Sequence, residues 1–171
     1  GRIWPQIGGS ERHLDIIGVN YYHNNQWIHG GPPIDVGHPL YKPFRTILME
    51  TYGRYGKPIF VAETGIEGGR RPDWFTYISD EIAAAMQAGV PVEGICLYPI
   101  VNHLGWDDER PCENGLLSTA VIGGRRTIFS PLADALKKMP QPNPLRLAGR
   151  AETGPDDVPM RASASSRAVA R

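Results

Sequence analysis

The chain is poor in the features that mark several large classes of protein. Two cysteines in 171 residues, Cys96 in an apolar run and Cys112 in a polar stretch, are too few for a disulfide framework and lack CxxC spacing. The five histidines (His13, His23, His29, His38 and His103) never recur three or four residues apart, so no metal site is expected. Eighteen basic residues balance eighteen acidic ones. That neutrality removes the electrostatic footprint of a nucleic-acid or anionic-membrane binder, so neither is expected as a partner and a small neutral ligand is. No apolar run approaches the ~18 residues of a membrane span, and GRIWPQIGGS has neither the basic start nor the apolar middle of a secretion signal; a soluble, cytoplasmic protein is expected. No glycine-rich phosphate loop follows any predicted strand, and no cofactor is expected. A start at Gly1 instead of Met reads as a piece of a longer protein. Residues 140–171 hold no aromatic residue and are dominated by Pro, Gly, Ala, Ser, Arg and Asp. Such a composition cannot bury enough apolar surface to offset its ordering entropy, so the chain divides into a folded part, 1–139, and a disordered tail or linker, 140–171.

Three short apolar runs are rich in Ile, Val or aromatics: LDIIGVNYY (14–22), PIFVAE (58–63) and VEGICLYPI (92–100). Each is strand-sized, and continuous apolar runs suit strands covered on both faces, as in parallel sheets. Helical spacing lies between them. In 39–55, Phe44, Ile47, Leu48 and Tyr52 fall three and four residues apart, with Pro43 in the first turn and Gly56 as a stop. In the next segment Asp73 is the expected N-cap of a helix whose Phe75, Ile78, Ile82, Ala85 and Met86 form one stripe, ended by Gly89 and Pro91. A third helix, SPLADALKKM, opens with Ser130 as cap and closes on Lys137 and Lys138. Alternating strand and helix predicts an α/β fold with a parallel sheet.

In such folds, functional groups gather where strands end. The first run ends in Asn20, Tyr21, Tyr22 and His23, the second in Glu63, and the third in Tyr98 followed by IVNHLGWDDERPCENG. Tyr21 alternates with Tyr22 along the strand and is expected to point into packing. Amides, phenols, carboxylates and indoles without lysine fit a carbohydrate, whose hydroxyls pair with planar polar groups and whose ring faces lie on aromatics. For Glu63 alone, a solvated residue at a strand end is the competing reading.

GVNYY (18–22), AETG (62–65) and LYPIVNHLGW (97–106) resemble, in order and spacing, the last three strand ends of the family 1 glycoside hydrolases, the β-glucosidase and 6-phospho-β-glucosidase group. The resemblance covers about residues 12 to 140. It implies a (β/α)8 TIM barrel present only as its C-terminal portion, about strands six to eight. It also implies a retaining mechanism on β-glycosides with Glu63 as nucleophile and Tyr22 as the phenol that keeps it ionised. Asn20 matches an amide near the nucleophile, Tyr98 the position of a tryptophan under the sugar, and Trp106 a second indole. The family's glutamate before that indole is Gly105 here, which leaves Asn102, His103 or Asp107 to bind outer hydroxyls, with His23 expected to line the site and contact substrate.

The proton donor is missing. The family's Asn-Glu-Pro motif does not occur in these 171 residues, and Glu67, Glu93, Asp107 and Asp108 are poorly placed to replace it. A complete barrel takes about 250 residues or more. The expectation is therefore a chain with little activity by itself, whose partner is the N-terminal half of the barrel. A non-catalytic carbohydrate-binding remnant, or a piece of another glycosidase of the same clan, are the alternatives.

Overall fold

The structure, a computed structural model, describes residues 5–120 and 123–139. The tail or linker expected over 140–171 lies outside them. Strands β1 (Ile17–Asn20), β2 (Ile59–Thr64) and β3 (Val92–Leu97) form a parallel sheet in the order β1-β2-β3. Helix α1 (Phe44–Tyr55) joins β1 to β2, and α2 (Arg71–Gln87) joins β2 to β3. A two-stranded hairpin follows, β4 (His103–Leu104) with β5 (Pro111–Cys112), and then α3 (Ser130–Lys137).

The alternation of strand and helix is as the sequence predicts, with local corrections. Helix α1 starts at Phe44 and not near Pro39, because Pro43 is extended (φ −55°, ψ 145°) and disfavours helical backbone in the residue before it. At its other end Gly56 adopts φ 61° and donates its N–H to Tyr52 O, the left-handed stop expected of it. Asp73 does not cap α2, which begins two residues earlier at Arg71; the carboxylate sits inside the first turn, where the helix dipole favours it. Ser130 is the first helical residue of α3, and the cap position falls to Phe129, whose carbonyl accepts from Leu132 and Ala133.

The core lies between the sheet and the helices. Phe44, Leu48, Ile59, Val61 and Ile78 are fully buried, and Ile17, Val19 and Ile95 pack against them. Each fully buried side chain of this size contributes about 1.5–3 kcal/mol of hydrophobic stabilisation. Tyr21 joins this core as its position in the strand predicts, stacked on Phe44 with ring centroids 4.2 Å apart. The first turn of α1 has no side-chain cap of its own and borrows from α2 instead. Arg45 N–H donates to Glu81 Oε2 (2.9 Å) and Phe44 N–H to the Tyr77 hydroxyl (3.3 Å), so two orphan donors hold the helices in register.

Coverage on both faces was the expectation for all three strands, and only the central one comes near it. Gly18 and Asn20 on β1 and Cys96 on β3 are exposed, as is Glu93 at the start of β3. Side chains there stay small where neighbours come close: a Cβ on Gly18 would meet Ala62 at 3.5 Å, and one on Gly94 would press on the Phe60 ring. The pairing β1–β2 slips by one residue at its end, Val19 opposite Val61 but Asn20 opposite Glu63. Such a bulge re-aims the side chains beyond it.

Candidate active site

Glu63 is delivered by the slipped end of β2. Tyr21 N–H donates to Glu63 O (3.0 Å), which fastens the end of β1 beside it and brings the next side chain, Tyr22, over the carboxylate. The Tyr22 hydroxyl donates to Glu63 Oε2 at 3.0 Å. Burial, and then the hydrogen bond to and negative charge of Glu63, push the Tyr22 phenol above its ordinary range, so it stays a donor. Thr64, fully buried, accepts from the Trp74 indole N–H (2.9 Å) and gives its carbonyl to Tyr98 N–H (2.9 Å). Gly65 then has the Tyr98 carbonyl where a Cβ would stand. The Thr-Gly after the acid is thus the seam between the ends of β2 and β3.

A hollow of about 270 Å³ opens beside this seam, walled by Tyr22, His23, Gly65, Tyr98, Pro99 and Asn114. Glu63 adjoins it through Tyr22. A larger hollow of about 400 Å³, lined by Tyr21, Tyr41, Trp74 and Tyr77 among others, shares His23 but includes neither Tyr22 nor Glu63. Its phenols are occupied with one another: Tyr41 and Tyr77 hydroxyls meet at 2.5 Å and Gln26 donates to Tyr21 (2.9 Å).

The other sequence-predicted residues divide. Asn20 stands opposite Glu63 in the register and is exposed. His23 is exposed, edge-on to Trp74 at 6.2 Å. Tyr98 is 36% exposed, its ring 6.3 Å from that of His103. Asn102 Oδ1 accepts Gly115 N–H (2.7 Å), which pins the loop and occupies one side of the amide. Trp106 is 85% exposed and lines neither hollow. The reason is the hairpin: Gly105 N–H donates to Arg110 O and Arg110 N–H to Asp108 Oδ1, so residues 105–110 close a tight tip that carries the indole into solvent.

Glu67 is gripped by the Arg110 guanidinium through two hydrogen bonds (2.9 and 3.0 Å). Those bonds hold its carboxyl below the usual range, against a smaller opposing effect of burial, which suits an ion pair and not a proton donor. Among the described residues, no group of three or more His, Cys, Asp or Glu is arranged to hold a metal ion. Sequence reading missed Trp74, Thr64, Arg110 and Asn114. Only Asn114, a planar amide ahead of a glycine in the loop after the third strand, left a signal of the kind that marked the others.

No protein-family profile and no curated protein matches the chain. Solved structures do. The β-glycosidase of the hyperthermophile Thermosphaera aggregans is 21% identical over 78% of this chain and 34% of its own, with a TM-score of 0.56. A family 1 β-glucosidase from Thermotoga maritima is 16% identical over 71% and 34% (TM-score 0.54). A hyperthermophilic β-glucosidase mutant is 21% identical over 71% and 33% (TM-score 0.53). The chain spans about a third of the length of these neighbours. The likeness is one of fold: three parallel strands with their helices are arranged as in part of a β-glucosidase barrel.

Proposed function

We propose that the chain is the nucleophile-bearing, C-terminal part, about strands six to eight, of a (β/α)8 barrel that hydrolyses β-glycosides with retention. The observation that carries the reading is the Tyr22–Glu63 hydrogen bond at two neighbouring strand ends, beside a hollow of phenol, imidazole and amide groups. In this mechanism a Glu63 oxygen attacks the anomeric carbon. The bond to the leaving oxygen breaks as a second carboxylic acid protonates it. That second group, now a carboxylate, takes a proton from water, and the water oxygen displaces Glu63, so the sugar leaves with its configuration retained. Tyr22 orients the attacking carboxylate through its hydrogen bond, while Asn20, His23 and Tyr98 hold the ring.

The second carboxyl has to lie about 5–5.5 Å from the first. With Glu67 engaged by Arg110, it is assigned to strands outside these 171 residues, which in this proposal also close the sheet. The same shortage favours a second reading, a carbohydrate-binding remnant without turnover.

For the chain alone, aryl β-glycosides should release little or no phenol, and robust Glu63-dependent release would overturn the assignment of the acid to another segment. In a protein that completes the barrel, Glu63→Ala should cut turnover by orders of magnitude, and a 2-deoxy-2-fluoroglycoside should label the peptide containing Glu63. Unchanged turnover in the variant removes Glu63 from the mechanism. Sugar binding without label or turnover in the completed barrel selects the remnant.

A further inference from the structure

The larger hollow, about 400 Å³, meets the smaller one only at His23 and Ile66, and neither Tyr22 nor Glu63 lines it. Its size falls within the ~300–1,000 Å³ of small-molecule sites. Tyr21, Tyr41 and Tyr77 all border it. The Gln26 amide is oriented by the Lys42 backbone, its Oε1 accepting Lys42 N–H and its Nε2 donating to Lys42 O, so Nε2 also enters the Tyr21 hydroxyl as a donor. Phe44 N–H enters the Tyr77 hydroxyl in the same way. The three hydroxyls thus bring three protons to two contacts, Tyr21 with Tyr41 and Tyr41 with Tyr77. Whichever way each contact runs, one phenolic proton is left without an acceptor among the described residues. The same hollow is lined by Asp35, Asp73 and Arg70, whose side chains make no hydrogen bond or ion pair among the described residues. Its indole, Trp74, spends its N–H on Thr64 and so offers ring surface alone.

We propose that this hollow is a second carbohydrate-binding site, separate from the one beside Glu63, which seats a neutral pyranose against Trp74 with its hydroxyls shared among Asp35, Asp73, Arg70 and the phenol cluster. The unpaired groups select the ligand. A phenolic proton and a guanidinium call for acceptors, two carboxylates call for donors, and the aromatic walls call for a flat apolar surface. A carboxylate or phosphate would satisfy the first pair and meet two acids of its own sign. An ammonium would suit the acids and the rings, but it would face Arg70 and leave the phenolic proton unmatched. A hydroxyl donates and accepts at once, and a pyranose carries several of them around an apolar ring face. The proposal stands on the side chains of this hollow and does not depend on Glu63 being a nucleophile.

The test is an NMR titration of the full chain with the methyl β-D-pyranosides of glucose, galactose and mannose, and with tetramethylammonium, following the Trp74 indole N–H and the Tyr41 and Tyr77 rings. At least one glycoside should move these signals, and should do so equally in Glu63→Ala. Replacing both acids, Asp35→Ala with Asp73→Ala, should weaken that response about tenfold or more, whereas Asp35→Asn with Asp73→Asn, which keeps an acceptor oxygen at each place, should retain most of it. Silence toward all three glycosides overturns the proposal, as does a response to tetramethylammonium alone, which would make the hollow a cation cage. A glycoside response unchanged by the double alanine variant overturns it as well. Should that variant not fold, Asp35→Ala alone, outside any helix or strand, carries the comparison with a loss of a few-fold, and no loss overturns the assignment. Shifts at Tyr22 and Glu63 in the same titration report on the hydrolytic reading separately.

Discussion

On one side of the sheet Ile59 and Val61 are sealed under α1 and α2, whereas on the other Gly18, Asn20 and Cys96 are exposed around the half-buried Phe60 and Ala62. The covered side is built from branched and aromatic side chains at full burial and from helices that satisfy each other's backbone. Apart from Phe60 the open side is built from small residues, and its strand ends carry the carboxylate, phenol and amide groups. Parallel sheets are ordinarily covered on both faces, and under the function proposed above the open side is the inner wall that further barrel strands would cover. Stability and chemistry are thus divided between opposite sides of the same three strands.

A stability contrast across the sheet would sharpen this division most. Leu48→Ala, at a fully buried position in α1, should cost about 2–5 kcal/mol in denaturant unfolding of the chain. Phe60→Ala, half-buried on the open side, should cost at most about 1.5 kcal/mol. Equal losses would mean that the open side is packed as tightly as the other, and the comparison would collapse.

The same division explains what could be read from the sequence. Periodicity reports the face that packs, so the three strands, their order along the chain and most of the stripes of α1 and α2 were legible, as was the inward turn of Tyr21, although Met86, read into the α2 stripe, is exposed. The apolar runs misled on coverage. Phe60, Ala62 and Cys96 are apolar at positions that these residues leave open, and a run does not say what lies across from it. Glu63 and Tyr22 stand out in the sequence because polar chemistry at a strand end contrasts with an apolar run, and the structure brings the two side chains within 3.0 Å. The settings of Asn102 and Trp106 were not legible for a different reason. Composition shows that a loop is rich in amide and indole, but whether those groups face a site depends on backbone hydrogen bonds, here Asn102 to Gly115 and the closure of the tip by Gly105 and Asp108. The partnership of Trp74 with Thr64 spans ten residues and two element types, and no spacing rule announces it.

A milder probe uses the two free thiols. Cys96 is exposed on the open side of β3, and Cys112 is buried in β5. A neutral maleimide should label Cys96 in the native chain within the time that leaves Cys112 untouched, and Cys112 should react only as the protein unfolds. Completion of the sheet by further barrel strands should slow Cys96 and leave Cys112 as it was. Protection of Cys96 in the chain alone would show that its own residues already cover the face taken here as open.

The smallest effect expected concerns two ion pairs that differ in the same way as the faces. Glu81 is buried where it meets Arg45 and the α1 backbone, while Glu67 and Arg110 are about half-exposed at the rim of the hollow. Arg110 lowers the Glu67 carboxyl in the folded state. A depressed carboxyl contributes stability that is fully present above its unfolded value of about 4.5 and is lost as the pH falls through the lower folded value. Glu67→Gln should therefore leave Tm nearly unchanged at pH 7 in high salt and make the decline of Tm below about pH 4.5 shallower. Because the pair is exposed, salt should erase most of the difference between variant and wild type, whereas it should do little to Glu81→Gln, whose loss leaves the first turn of α1 with a weaker acceptor. A Glu67 effect that survives high salt would mean that the rim is drier than its exposure implies, which is the property a sugar site needs and the open side of this chain does not otherwise display.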